Sequence, residues 1–372
     1  FQGGNRMARL GDVCTKAASN IVQKDLQGRE GIYPVYGAGG FITNVDFYQR
    51  EAPYIAVVKD GAGVGRVMKL PGQSSVIGTM QYILPGDLVN IDYLAFAMEH
   101  MCLGRYQTGA TIPHIYFKDY RQEEFPLPGL ERQAEIAAVL NRIVALISLR
   151  KRQLEKLDAL VNSRFVELFG DSEHNNKNLP VYKLSNLCEV GSSKRIYQNE
   201  QTSNGVPFLR VSDLVKRIDK GIETCELFIP HEKYEELWSQ GFVPKRGDIL
   251  VTSRGTLGRC YIVKNKDRFY FQDGMISWLS NFDERIVSNY LSYLFSTPGF
   301  QKQIMSLQLG STVAYLSISM LKKLDVMVPD LQLQKRFADY VEQVNLFGLT
   351  IRQSLDKLEV LKKSLMQEYF AP

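Results

Sequence analysis

The sequence predicts an α+β protein. Two mixed, mostly-β globular parts are joined by two long helices that pair as an antiparallel coiled coil, and an internal repeat implies pseudo-two-fold symmetry. Two observations predict this. First, the second half of the chain repeats the first: residues 109–170 align without a gap on 310–371, at a constant spacing of 201. Second, texture alternates along the chain. Stretches of short β-branched and aromatic runs broken by Gly, Pro and Asp are each followed by one long stripe of apolar residues at helical spacing.

The repeat is carried by identities. Gly109, Thr111, Pro128, Leu130, Gln133 and Ala137 meet Gly310, Thr312, Pro329, Leu331, Gln334 and Ala338. Leu154, Lys156, Leu157, Leu160 and Phe169 meet Leu355, Lys357, Leu358, Leu361 and Phe370. Upstream, Leu10 and Cys14 match Leu184 and Cys188, and Gly65-Arg66 match Gly258-Arg259. The spacing grows along the chain, as insertion of loops into a shared fold would make it. A period this long marks a duplicated domain, since solenoid repeats run to about 20–50 residues. Residues 1–6 read as an expression-tag remnant, with Met7 as the native start. The expected division is a globular domain at 7–127, a helical region at 128–170, a linker at 171–180, a second globular domain at 181–327 and a second helical region at 328–372.

Each long helix follows from its periodicity. In 130–168, Ile136, Leu140, Ile143, Ile147, Leu154, Leu157 and Val161 step by three and four, interrupted once by Arg150. In the second copy Phe337, Val341, Val344, Phe347, Ile351, Leu355 and Leu358 do the same. Pro128-Gly129 and Pro329-Asp330 supply helix starts. About 39 residues at roughly 1.5 Å each make a rod close to 60 Å long. Neither rod can bury its stripe alone. The expected seam is therefore Leu140, Ile143, Ile147, Leu154 and Leu157 against Val344, Phe347, Ile351, Leu355 and Leu358. Such a rod can also act as a ruler between the globular parts. The basic stretch Arg150–Lys156 and Lys362-Lys363 either receives a partner or is a solvated face.

Within each globular part a strand, a tight glycine turn and a strand recur. The first is Val57–Val67, with Lys59 and Arg66. The second is Val251–Cys260, with Ser253, Arg254 and Arg259. Basic side chains there can pair with phosphates or fork onto guanine; equally, the turn can be an ordinary hairpin with solvated arginines. A second loop recurs before the last strand of each part, with Thr111 and His114 in one copy and Thr312 and Tyr315 in the other. Hydroxyls beside glycine suit phosphate or base contact, and docking of the globular part on its helix explains the loop as well. A duplicated, mildly basic chain suits duplex DNA, whose own axis is two-fold. The net charge of +5 is weak evidence by itself.

Several chemistries are not signalled. Five scattered cysteines form no C-x-x-C pair, which argues for a reducing cytoplasm without disulfides or zinc knuckles. The four histidines have no metal spacing. There is no G-x-x-x-x-G-K-[ST] loop and no Asn-Pro-Pro-aromatic or Asp-Pro-Pro-aromatic motif. No run is apolar enough for a membrane helix. The chain reads as a recogniser without catalytic machinery. A stand-alone or fused DNA methyltransferase or nuclease, and a coiled-coil scaffold that binds only proteins, are the competing readings.

The order globular–helix–globular–helix joins several local motifs. These are Leu127-Pro128-Gly129-Leu130 with Gln133, Glu167–Asp171 before a polar linker, Gly205–Leu214, and Gly247–Gly255. Together they resemble the specificity subunit of Type I restriction–modification enzymes, over essentially Met7 to the C-terminus. The resemblance implies two target-recognition domains, each reading one half of a bipartite asymmetric DNA site; Arg210 and Ser212 join the candidate DNA contacts through the Gly205–Leu214 motif. It implies helices that set the spacer and dock two modification (methyltransferase) subunits and the restriction subunits. It implies no catalytic residue, metal or cofactor in this chain; S-adenosylmethionine, ATP and Mg belong to the partners, and no membrane is involved. The first globular part departs from the pattern, having Gly31–Gly37 where the second has Gly205–Leu214.

Overall fold

The computed structural model describes residues 6–109, 111–308 and 314–371. The chain divides into two compact units. One comprises the residues up to Leu154 together with Thr350 onward, and the other is Glu155–Leu349. Both boundaries fall within the long helices Leu130–Phe169 and Leu331–Phe370, 40 residues each. Among the described residues no helix is long and apolar enough to cross a membrane.

The first unit contains a four-stranded antiparallel sheet in the order Cys14–Ala18, Met80–Pro85, Tyr54–Val58, Val67–Leu70. Tyr54–Val58 is buried at every position, as a central strand covered on both faces must be. Beside it lies a three-stranded sheet in the order Gly40–Val45, Tyr33–Gly37, Ser75–Val76, the last pair parallel. A two-stranded ribbon pairs Met7–Arg9 with Glu124–Pro126, immediately before the long helix.

The second unit repeats all three arrangements. Its four-stranded order is Glu189–Gly191, Ile276–Ser280, Ile249–Thr252, Cys260–Ile262. Its three-stranded order is Phe228–Ile229, Val206–Leu209, Tyr270–Phe271, again with the last pair parallel. Its ribbon pairs Val181–Lys183 with Asp325–Met327.

The residues preserved in both copies have structural reasons. Cys14 and Cys188 are buried and donate their thiol protons to the carbonyls of Leu10 and Leu184, four residues earlier. Gln133 and Gln334 are buried polar side chains that tie each long helix to its own globular part. The Gln133 amide oxygen accepts from Asn90 N–H at 2.8 Å while its nitrogen donates to the Leu88 and Pro128 carbonyls. Gln334 accepts from Val287 N–H at 2.9 Å and donates to the Arg285 and Pro329 carbonyls. A buried amide is tolerated only with its bonds made, and here the same three are made twice.

The departure of the first globular part is local. Gly31 and Gly205 both abut a neighbouring strand: a Cβ would lie 2.0 Å from the Val45 oxygen or 2.3 Å from that of Ile229, so only glycine fits. The strands that follow occupy the same place in the three-stranded sheet. After its strand the first unit turns straight back through Ala38-Gly39 into a hairpin. The second inserts the helix Val211–Lys220, whose N-terminus is capped by Asp213 accepting from Arg210 N–H at 3.1 Å.

Within each unit the two long helices run antiparallel. In the first, Ile136, Ala137 and Leu140 from the start of one helix share a core with Met366 and Phe370 from the end of the other, and Lys151 pairs with Glu359 at 3.2 Å. In the second, Val161, Phe165 and Phe169 meet Phe337. Leu140 and Ile143 are buried, while Ile147, Leu154, Leu157, Val344, Ile351, Leu355 and Leu358 are half-buried. Phe347 corrects the expected seam: the residue is 68% exposed and the neighbouring Gly348 is the buried position. Steps of three then four, or four then three, satisfy the same heptad, and the structure takes the one that turns Phe347 outward.

Burial also sorts the thiols. It pushes Cys14 and Cys188 up to about 12, so neither forms thiolate near neutrality, whereas Cys102 is exposed. With a chromogenic disulfide at pH 8, Cys102 is expected to react first and Cys14 and Cys188 only after denaturant is added. Early labelling of Cys14 or Cys188 would contradict this packing.

Candidate nucleic-acid interface

The two loops singled out in each globular part come together. In the first unit, Ile115 N–H donates to the Lys59 carbonyl at 2.9 Å and Gly61 N–H to that of Pro113 at 2.8 Å; Asp60 and His114 face each other as an antiparallel bridge. In the second, Leu316 N–H donates to the Ser253 carbonyl at 3.0 Å, and Arg254 and Tyr315 form the equivalent bridge. The hairpin turns also close alike. Gly65 and Gly258 take φ values of +84° and +76°, and their N–H groups donate back to Val58 and Thr252 at 2.8 and 2.9 Å. A Cβ at Gly65 would collide with the Gly104 backbone 2.2 Å away. Gly-Arg therefore recurs because the turn needs left-handed backbone beside a close neighbour.

The candidate side chains fall into distinct situations. Arg254 is exposed, with its guanidinium over the Tyr315 ring at 5.4 Å and no ion pair among the described residues. Arg66 donates to the Ala38 carbonyl at 2.6 Å, which links the hairpin to the tip of the three-stranded sheet and leaves its charge without a carboxylate among the described residues. Arg259 reaches the corresponding insert of the second unit but meets a carboxylate there, Asp219 on the helix Val211–Lys220. Lys59 is neutralised by Asp60. Arg210 is held between Asp213 at 3.2 Å and Glu226 at 2.9 Å, and those partners keep its guanidinium firmly protonated.

Thr111 and Ser212 are exposed; His114 and Tyr315 are half-buried, with Tyr315 N–H donating to Gln308 at 2.8 Å. Thr312 lies outside the described residues. Ser253 is a correction: it is 1% exposed, and its hydroxyl is shared with that of Ser277 at 2.7 Å. It belongs to the core beneath the turn and offers nothing to a ligand. Asp60, not among the candidates, occupies the junction itself. Aligned through Gly65-Arg66 and Gly258-Arg259, Asp60 falls opposite Ser253; only the bridges to His114 and Tyr315 show that its counterpart is Arg254.

The Gly247-Asp248 motif is structural too. Asp248 accepts from Lys245 N–H and from Trp278 Nε1–H, both at 2.8 Å, and burial raises its carboxyl above the usual range. It borders a hollow of about 280 Å³ lined in part by Phe242, Lys245 and Trp278.

Each globular unit thus presents the same loop junction with different side chains and is tied to the long helices by the same buried glutamine. The chain belongs to the Type I restriction modification DNA specificity domain family, whose model matches it twice, over residues 4–159 and 176–360. It is 26% identical to the Type I restriction enzyme MjaVIII specificity subunit of Methanocaldococcus jannaschii, over 97% of this chain and 90% of that one. It is 23% identical to a chain of Haemophilus influenzae assigned as a type I restriction enzyme specificity subunit, over 91% of this chain and 87% of that one. In fold it is similar to the crystal structure of the Type-I restriction-modification system S subunit from M. genitalium, with a TM-score of 0.67 and 16% identity, covering 100% of this chain and 98% of the other.

Proposed function

We propose that this chain is the non-catalytic subunit that directs a DNA adenine methyltransferase, and an ATP-dependent restriction enzyme, to a bipartite asymmetric site in cytoplasmic DNA. Each globular part reads one half-site. The observation that carries this reading is the loop junction, whose backbone is the same in both units while its side chains differ. Two non-identical readers require two non-identical half-sites. Free cations such as Arg66 and Arg254 supply the salt-dependent attraction to phosphate or the contacts to base edges.

The long helices set the spacer and dock two modification subunits together with the restriction subunits. Phe347 and Val360, each 68% exposed, and Leu160 at 52% supply apolar surface suited to such partners. S-adenosylmethionine, ATP and Mg are bound by the partner subunits. The isolated chain should then retain no labelled S-adenosylmethionine, and methyl transfer by the modification subunits to specific sites should require the chain. Retention of the cofactor by the chain alone would overturn the non-catalytic assignment. Deleting two helical turns from both long helices, seven residues each, is expected to change the spacer by about 3 base pairs at roughly 1.5 Å per residue while leaving both half-sites intact. Altered half-sites in the methylated motif would contradict that role for the helices.

A further inference from the structure

The two loop junctions occupy equivalent positions and differ in chemistry. His114 and Tyr315 stand at the 201-residue spacing of the repeat. Each bridges the residue that follows the hairpin's accepting carbonyl, Asp60 after Lys59 in one unit and Arg254 after Ser253 in the other. Position 60 therefore corresponds to position 254. A scaffold held constant around a carboxylate in one copy and a guanidinium in the other is what reading two different sequences demands.

Arg254 is unlike the other arginines near it. Arg210 and Arg259 are neutralised by carboxylates. Arg254 has no ion pair among the described residues, and its guanidinium carbon lies 5.4 Å from the centre of the Tyr315 ring. A cation–π contact uses the charge of a guanidinium and need not consume its N–H donors. That fork matches guanine O6 and N7 in the major groove. Asp60 cannot serve as a phosphate contact, because its charge has the wrong sign. Its side chain is 37% exposed, and Lys59 contacts only its Oδ2, so Oδ1 remains as an acceptor. A carboxylate there accepts a hydrogen bond from an exocyclic base amine, such as cytosine N4.

We infer that Arg254 and Asp60 are paired specificity-determining residues. Arg254 reads a guanine in the half-site of the second unit, and Asp60 reads an amine-bearing base, cytosine or adenine, in the half-site of the first. This rests on the DNA-directing function proposed above.

The test uses the full-length chain with its cognate modification subunits, expressed in a host free of other adenine methylation, with methylated motifs read by long-read sequencing. Arg254→Ala should make one guanine position of one half-site degenerate, with discrimination there falling roughly five- to a hundredfold, while the other half-site stays unchanged. Asp60→Ala should do the same at one cytosine or adenine of the opposite half-site. Arg254→Lys keeps the charge and loses the fork, so it should relax the same guanine; this variant also decides the matter if Arg254→Ala abolishes methylation. An unchanged motif with either alanine variant, a uniform fall at every base, or restoration of the wild-type motif by Arg254→Lys would overturn the inference. A wild-type complex that methylates no defined motif would instead overturn the DNA-directing function itself, and the inference with it.

Discussion

Replacing Phe337 by alanine is expected to destabilise the second unit by about 3–5 kcal/mol, the usual cost of emptying a fully buried aromatic site. Phe337 is completely buried, and its ring centroid lies 5.6, 5.4 and 5.0 Å from those of Phe165, Phe169 and Tyr293. Phe165 and Phe169 belong to the other long helix and Tyr293 to the helix Ser288–Ser296, so the one side chain of Phe337 joins the helix pair to its globular part. Hydrogen exchange resolved along the chain should show protection falling throughout Glu155–Leu349. Phe347→Ala, at an exposed site, should change stability by no more than about 0.5 kcal/mol. Equal effects of the two substitutions would contradict the seam described above.

Removing the guanidinium of Arg217 should be comparably severe. Arg217 lies on the inserted helix and donates to Asp267 at 3.1 Å; their side chains are 7% and 2% exposed. Arg217 also covers the Phe269 ring at 4.9 Å, and Asp267 accepts further bonds from the Tyr261 hydroxyl and Lys264 N–H. Arg217→Met leaves a buried carboxylate without its cation, which typically costs about 3–5 kcal/mol. Because the lost energy comes from the stranded charge, adding Asp267→Asn should recover much of it. A double variant as unstable as the sum of the two singles in urea unfolding would show that the residues act independently.

How much of this was legible depended on the range of the interaction. The long helices declare themselves through dozens of residues of local periodicity, and the repeat exposes the second from the first. The strands Tyr54–Val58 and Ile249–Thr252 stand out because every position is apolar or β-branched. The three-stranded sheets did not, since strands as short as Ser75–Val76 and Tyr270–Phe271 are defined by partners far along the chain. The helix Val211–Lys220 was hidden within a motif read for its side chains, and the capping role of Asp213 needs the backbone to be seen.

The candidate site divides in the same way. The two recurring loops were visible in the repeat, but their union through Lys59–Ile115 and Ser253–Leu316 is a tertiary bond that no local pattern encodes. Ser253 was misplaced because a small hydroxyl beside a glycine turn looks exposed. Here it follows a wholly buried strand and continues its inward face. The commitment of Arg210 and Arg259 to carboxylates likewise depends on partners supplied by the inserted helix and the segment after it.

Direction of methylation to a bipartite site, the function proposed above, leaves its record in the host's own DNA. The most direct measurement is long-read methylation sequencing of host DNA with and without the gene, with the cognate methyltransferase expressed in both. One interrupted, asymmetric methyl-adenine motif is expected to disappear with the gene and to return when the gene is restored. Survival of every motif in its absence would contradict it.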